Sequence, residues 1–407
     1  MRLVADLHLH SKYSRATSDR LSLSGMAEAA KAKGIDLLGT GDFTHPKHFD
    51  ELKHGLRLHE SGFYEHDGTL FVVSGEVSTT WRVGGKPKKV HLILLAPSLE
   101  VAAQINDVLA ARGDLAADGR PTLEMSAAEL VEVVMGIAND CEVIPAHAWT
   151  PWFSVFGSRS GFDSLRECFE DETAHIHAIE TGLSSDPPMN WRLSALDSMT
   201  LVSNSDAHSP EKIGREANVF EFDDLSYRSL LSAIRTKDRR HFRATIEFYP
   251  EEGKYHYDGH RSCGVSLHPS SARALGNLCP ACHQPLTIGV LHRVEELADR
   301  PEGFVPPNAI PFVRRIPLAE ILQKVLGDGR KCREVHSLLL QAFGNELAVL
   351  EADRARIAEV AGERVAEAIA RAREGRIRVI PGYDGAYGEI EIFAEPSAMQ
   401  SSLQEFL

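Results

Sequence analysis

Apolar residues along the first 210 positions gather into seven short runs of strand length: RLVADLHLH, IDLLGTGD, LFVVSGEVS, KVHLILLAP, CEVIPAHA, IHAIETG and MTLVSNSDAH. Between most of them the apolar positions recur every three or four residues, as in MAEAAKAKG, VAAQINDVLAARG and SAAELVEVVMGIAND. Strands alternating with helices predict an α/β protein, a mainly parallel seven-stranded (β/α) barrel. One connection departs from the pattern. Only TTWRVGGKPKK separates the third run from the fourth, too little for a crossover helix, so these two strands should form a hairpin and the barrel should be irregular.

Near residue 246 the texture changes. YPEEGKYHYDGHRSCGVSLHPSS has no clear period and leads into NLCPACHQPLTIG, which reads as a small knuckle. Prolines recur from Pro301 to Pro317, and from 318 to 375 apolar spacing of three and four, punctuated by Gly327, Gly344 and Gly362, predicts several short helices. The tail PGYDGAYGEIEIF suits a closing hairpin. The expected organisation is a barrel over 1–245, a zinc-binding domain over 246–300 and a mainly helical domain over 301–407.

Composition alters this picture little: 43% apolar and 25% charged residues are ordinary for a globular protein. The net charge of -14 weighs against nonspecific nucleic-acid binding, but it is uneven. From Glu302 to Arg378 thirteen Lys/Arg meet eleven Asp/Glu, so the acidic excess lies elsewhere, where bound cations could offset it. No apolar run reaches the ~18 residues that cross a bilayer, and the chain enters a strand at once, so a cytoplasmic location without membrane contact is expected. The six cysteines do not read as a disulfide framework.

The chemistry collects at strand ends. Residues two apart in a strand share a face, which puts Asp6, His8 and His10 opposite Leu3, Ala5, Leu7 and Leu9. Asp42, Glu76, His147, Glu180, Asp206 and His208 also stand at or near the C-terminal ends of their runs, where the active sites of β/α barrels assemble. Of these, His8, His10, Asp42, Glu76, His147, Asp206 and His208, with His45 and His91, form an imidazole–carboxylate set suited to Zn, Mn or Fe. Such multinuclear centres stabilise both the attacking and the leaving oxygen of an in-line displacement at phosphorus, so phosphoester hydrolysis is the natural chemistry. Separately, His260-x2-Cys263 and, fifteen residues further on, Cys279-x2-Cys282 have the spacing of a closed structural zinc site. The loop AWTPWFSVFGSRSGF places Trp149, Trp152, Phe153 and Arg159 just past His147. There they could hold an unstacked base, or plug the barrel mouth.

The ordered set DLHLH, GTGDF, SGEVS, the histidines of KVHLI and PAHAW, and SDAH resembles the PHP family over about residues 1–245. That resemblance implies a seven-stranded barrel with a trinuclear centre. His8, His10, Glu76 and Asp206 would hold one cation; Glu76, as a bridge, would hold a second with His91 and His147; His208 would serve a third. The third site departs from the pattern, with Arg15 near an expected aspartate and Phe43 in place of a histidine; Asp42 and His45 are the substitutes. Taken whole, barrel, knuckle and helical tail resemble the endonuclease Q family of DNA-repair nucleases. The resemblance implies nicking on the 5′ side of deaminated bases (uracil, hypoxanthine, xanthine) and at abasic sites. His8, His10, Glu76, Asp206 and His208 would be the catalytic set, with two to three divalent cations (Zn, Mn, Mg or Fe) and one structural Zn. DNA is then the partner, with repair or replication factors besides. The rivals are a small-molecule phosphatase with the same ligands and a non-catalytic DNA-binding protein with a relic barrel.

Overall fold

The computed structural model describes residues 1–395; the end of the expected 301–407 segment, residues 396–407, lies outside the described residues. The chain forms two compact units. One comprises Met1–Lys31, Ile35–Ile246 and Glu296–Phe312; the other Ala32–Gly34, Glu247–Glu295 and the described residues from Val313.

In the first unit each of the seven apolar runs contains a strand: Arg2–Asp6, Leu37–Gly39, Thr69–Val83, Lys86–Ala96, Glu142–Pro145, Ala178–Glu180 and Thr200–Val202. The first three pair in parallel, Ala5 opposite Leu37 and Leu37 opposite Leu70. The expected hairpin follows, registered from Val73 opposite Ala96 to Val83 opposite Lys86. Gly84 and Gly85, both at positive φ, form its turn, the backbone that lets a two-residue loop follow the strand twist. Lys86–Ala96 therefore runs against both neighbours, since Glu142–Pro145 pairs with it antiparallel. Ala178–Glu180 and Thr200–Val202 pair in parallel, and a bridge between Leu9 and Ala207 returns the order to the first strand.

The sheet is more mixed than the run pattern indicates. Ala217–Glu221 joins the first strand antiparallel, and Phe242–Glu247 joins Ala217–Glu221 antiparallel. Helices Leu23–Lys33, Leu99–Leu109 and Ala127–Ile137 fill the connections with helical spacing. The last shows how locally this is encoded: Ser126 and Glu129 form a reciprocal cap, and Ala127, Leu130, Val131 and Val134 make the buried stripe. Each buried Leu or Val there contributes roughly 1.5–3 kcal/mol. Leu3, Ala5, Leu7, Val72, Ile93, Ile144, Ala178 and Val202 share one core, so the strands' apolar faces meet and leave their polar ends to the mouth.

The second unit contains the helices Leu318–Leu326, Arg330–Phe343, Glu346–Glu351, Arg354–Ala361 and Glu363–Arg373 around Leu318, Ile321, Leu322, Leu339, Ile357 and Ile369. The expected tail hairpin pairs Arg378–Ile380 with Glu389–Glu391. The knuckle segment begins with a short hairpin, Asp258–His260 with Val265–Leu267. No helix of the described residues is long and apolar enough to cross a membrane.

Candidate metal centre

Glu76 stands at the middle of the site. It is fully buried on the long third strand, and the hairpin register puts His91 opposite Ser78, two residues along on the same face. Its Oε1 lies 2.8 Å from His91 Nδ1 and 3.1 Å from His147 Nε2. Its Oε2 lies 3.2 Å from His10 Nε2 and 3.4 Å from His8 Nε2. Asp206 Oδ1 completes that side, 3.0 Å from His10 Nε2 and 3.8 Å from His8 Nε2. The structure thus brings together two sets joined by one carboxylate, His8/His10/Glu76/Asp206 and Glu76/His91/His147, each with ligand atoms within 4.8 Å of one another.

The histidines are held from behind. His8 Nδ1 is 3.0 Å from Glu180 Oε1, His10 Nδ1 is 3.0 Å from Asp42 Oδ1, and His147 Nδ1 is 3.0 Å from Thr150 Oγ1. Such partners fix tautomer and ring angle in metal-binding imidazoles. His8 Nε2 is buried and has no hydrogen-bond partner among the described residues, the condition of a nitrogen awaiting a cation. Backbone strain collects at the same place, with Asp42, His147 and Asp206 all at positive φ.

Electrostatics follow the crowding. Burial disfavours charge on His8, but the Glu180 and Glu76 carboxylates outweigh it and raise its pKa well above the ordinary value. Burial likewise works against charge on Glu76, yet His91, Arg120 and His8 hold its pKa well below the usual range. His91 goes the other way, pushed down to about 4 chiefly by burial. Four imidazoles around one carboxylate, with a second carboxylate alongside, are a donor set for two divalent cations, and His and carboxylate ligands fit Zn, Mn or Fe.

The third-site candidates lie differently. Asp42 is fully occupied: Oδ1 faces His10, and Oδ2 accepts from Ser11 N (2.6 Å), Ser11 Oγ (2.6 Å) and Ser14 Oγ (2.9 Å). His45 stacks on Tyr13 at 4.6 Å between centroids and belongs to neither ligand set. His208 is at the rim, its Nδ1 2.9 Å from the Asp206 carbonyl and its ring 4.5 Å from that of His10.

The aromatic loop divides. Trp149 is 1% exposed, bonded through Nε1 to Asn190 and packed on Phe156, so its ring serves the interior beneath the loop. Trp152 is 47% exposed, Arg159 is exposed, and Phe153 lies 4.7 Å from the His91 ring. In the second unit His260, Cys263, Cys279 and Cys282 come together, with His260 Nδ1 3.4 Å from Cys282 Sγ.

Two residues of the centre were missing from the sequence reading of the site. Glu180 had been noted only as a strand end, although it binds His8 and accepts from His147 N at 2.7 Å. Arg120 donates from Nη1 to Glu76 Oε2 at 3.0 Å from the loop ARGDLAADGRP, where nothing in the local pattern marks it.

An α/β fold with a carboxylate bridging two imidazole sets at the strand ends defines a metal-dependent phosphoesterase of the PHP type. A family profile described as PHP-associated matches residues 192–238, and one described as the MJ0043 C-terminal domain matches residues 317–376. The crystal structure of the lesion-specific endonuclease PfuEndoQ from Pyrococcus furiosus is similar with a TM-score of 0.86 and 34% identity, over 96% of this chain and 95% of that one. A structure of endonuclease Q with a 27-mer duplex carrying an abasic lesion at its active site gives 0.84 and 34% identity, over 97% and 99%. The protein YqxK of Bacillus subtilis (strain 168) is 30% identical over 96% of this chain and 99% of its own length. The chain belongs to the PHP-domain family, among the endonuclease Q proteins.

Proposed function

We propose that this protein is a DNA-repair endonuclease that hydrolyses the phosphodiester on the 5′ side of deaminated bases (uracil, hypoxanthine, xanthine) and at abasic sites. The observation that carries the reading is Glu76, whose two oxygens each face a separate histidine set. Similarity to an endonuclease Q crystallised on an abasic duplex supports the substrate class.

The ligand sets are His8, His10, Glu76 and Asp206 for one divalent cation, and Glu76, His91 and His147 for a second. Bound there, cations supply Lewis acidity toward the phosphoryl oxygens and lower the pKa of water. The chain's own residues orient and exclude. Glu180 and Asp42 fix His8 and His10, and Glu76 keeps its charge in a buried site. His208, partly exposed at the rim, is the proton donor to the departing sugar oxygen. Asp42 and His45, the substitutes for a third site, act here as support. Trp152, Phe153 and Arg159 form the surface for the lesion, over the buried Trp149.

The barrel segment 1–245 cuts in a seven-stranded closed arrangement. The 246–300 segment holds one structural zinc through His260, Cys263, Cys279 and Cys282, and the helices after 301 form the C-terminal domain. The enzyme works in the cytoplasm, on DNA and beside repair factors.

The test is end-labelled duplex DNA with one uracil, hypoxanthine or abasic site, beside an undamaged control, with Mg and then Mn supplied. A nick 5′ of the lesion and none in the control is expected. Hydrolysis of p-nitrophenyl phosphate with every duplex intact would replace this reading with a phosphatase.

A further inference from the structure

Arg120 is the one arginine that donates to a carboxylate of the ligand sets among the described hydrogen bonds, its Nη1 3.0 Å from Glu76 Oε2. Its side chain is 29% exposed, so it is open to the mouth while touching a fully buried group. The loop that carries it is pinned. Gly119 N donates to Tyr13 O at 3.1 Å, Ser78 N to Pro121 O at 2.9 Å, and Thr44 Oγ1 to Gly119 O at 3.3 Å. Asp118 Oδ1 accepts from Arg120 N at 3.2 Å. Gly119 is close against Asp42 and Ser14, where any Cβ would collide, so the backbone on either side of Arg120 has no slack.

This arrangement has a consequence for charge. Cations held by the two histidine sets would draw on the Glu76 carboxylate, and the Arg120 guanidinium, 3.0 Å from Glu76 Oε2, would then face like charge. Asp206 and Asp118 remain as its other charge partners, and the donors it turns to the open mouth can take a further anion. The anion the reaction supplies there is the scissile phosphate. The planar donor fork of arginine matches two oxygens of a phosphoryl group.

We propose that Arg120 is a catalytic residue that binds a non-bridging oxygen of the scissile phosphate, exchanging its hold on Glu76 for the substrate when cations are bound. The inference rests on the phosphodiesterase reading above. In the step it serves, the oxygen of a water forms the new bond to phosphorus and loses its proton. The bond from phosphorus to the leaving sugar oxygen breaks with its electron pair, and that oxygen is protonated. Charge on the non-bridging oxygens grows as this happens, and a fixed guanidinium stabilises it without reorganisation.

The experiment compares wild type with Arg120→Ala and Arg120→Lys. Three quantities are read: single-turnover nicking of an abasic-site duplex, metal content by mass spectrometry, and affinity for that duplex with a chelator present. For Arg120→Ala we expect full metal content, affinity within about threefold, and a rate lower by about 10²–10³-fold, the size of effect typical of losing one fixed oxyanion donor. Exogenous guanidinium should recover part of that rate, and Arg120→Lys should fall between. A rate within about threefold of wild type overturns the proposal, as does a loss of rate that tracks a loss of metal, because Arg120 would then act only by placing Glu76. If wild type nicks no duplex but cleaves p-nitrophenyl phosphate, the endonuclease reading falls, and the same rate comparison on that ester decides Arg120.

Discussion

The protein presents two constellations of metal-binding side chains, and their construction is opposite. The barrel centre is made of histidines and carboxylates from strand ends far apart in sequence, all but Asp206 buried, with outer partners behind His8, His10 and His147 and an arginine at its edge. The knuckle is made within 23 residues from turns, three thiols and one imidazole, with Cys263 exposed and a small core of Ala272, Cys279 and Leu286 beneath it. Three thiolates and an imidazole would close a zinc ion off from chemistry, whereas a carboxylate bridge with an open rim leaves room for a reacting group. The first site needs the finished fold to exist; a zinc ion held at the second would contribute to the stability of its own segment.

Breaking the bridge tests this most severely. Glu76→Ala should reduce nicking by 10³-fold or more, since both sets lose the atom they share, while the far-ultraviolet spectrum stays that of wild type. Wild-type nicking by that variant in metal-controlled buffer would dissolve the two-set description. Cys279→Ser should do the reverse. We expect it to lose one equivalent of zinc and to expose the 246–300 segment to protease while the barrel keeps its metals; unchanged zinc content would show that the four side chains are not a site. A smaller effect is expected from Glu180→Gln, which keeps the shape but removes the charge facing His8. A 10- to 100-fold loss in rate or metal affinity is typical when such an outer partner goes. Equal rates for variant and wild type would reduce Glu180 to a packing residue.

The sequence made the local features legible and the convergent ones much less so. All seven strand-bearing runs announced themselves because their strands are buried and read as short apolar stretches, with period two visible in the first, where Leu3, Ala5 and Leu7 alternate with Asp6 and His8. The hairpin could be read because the short connection TTWRVGGKPKK leaves no room for a crossover helix between the two apolar runs. Ala217–Glu221 and Phe242–Glu247 were not singled out, being short and flanked by polar residues, and their pairing makes the sheet more mixed than expected. Glu180 was visible as a strand end, but its target, His8, is 172 positions away. Arg120 offered no signal at all, because its loop is irregular and its meaning arises only where the fold sets it against Glu76. Trp149 shows the converse: an aromatic beside a ligand histidine reads equally as a base pocket or a plug in sequence, and burial and the bond to Asn190 give it a packing role.

The gentlest way to sharpen the contrast is by pH, since one buried carboxyl group in each unit, Asp42 and Glu252, is tuned in the opposite direction to the other. In the barrel, burial disfavours charge on Asp42, but His10 outweighs it and its pKa falls to about 2. In the second unit, burial and the neighbouring Glu320 push Glu252 up to about 9. A depressed carboxyl stabilises the fold above its ordinary pKa of 3.8 and loses that contribution as pH falls through about 2. Glu252 does the reverse: its contribution is complete below 4.5 and is lost as pH rises through about 9, because the folded state holds a proton that the unfolded state has released. Glu252→Gln imitates the protonated form at every pH. Thermal melts of variant and wild type should therefore coincide near pH 4.5 and separate steadily above it, the variant melting about 3 °C higher by pH 9, roughly the shift that 1 kcal/mol produces in a domain of this size. Parallel curves across that range would mean that Glu252 is ionised in the folded protein and that Lys324, not a retained proton, balances the carboxyl pair.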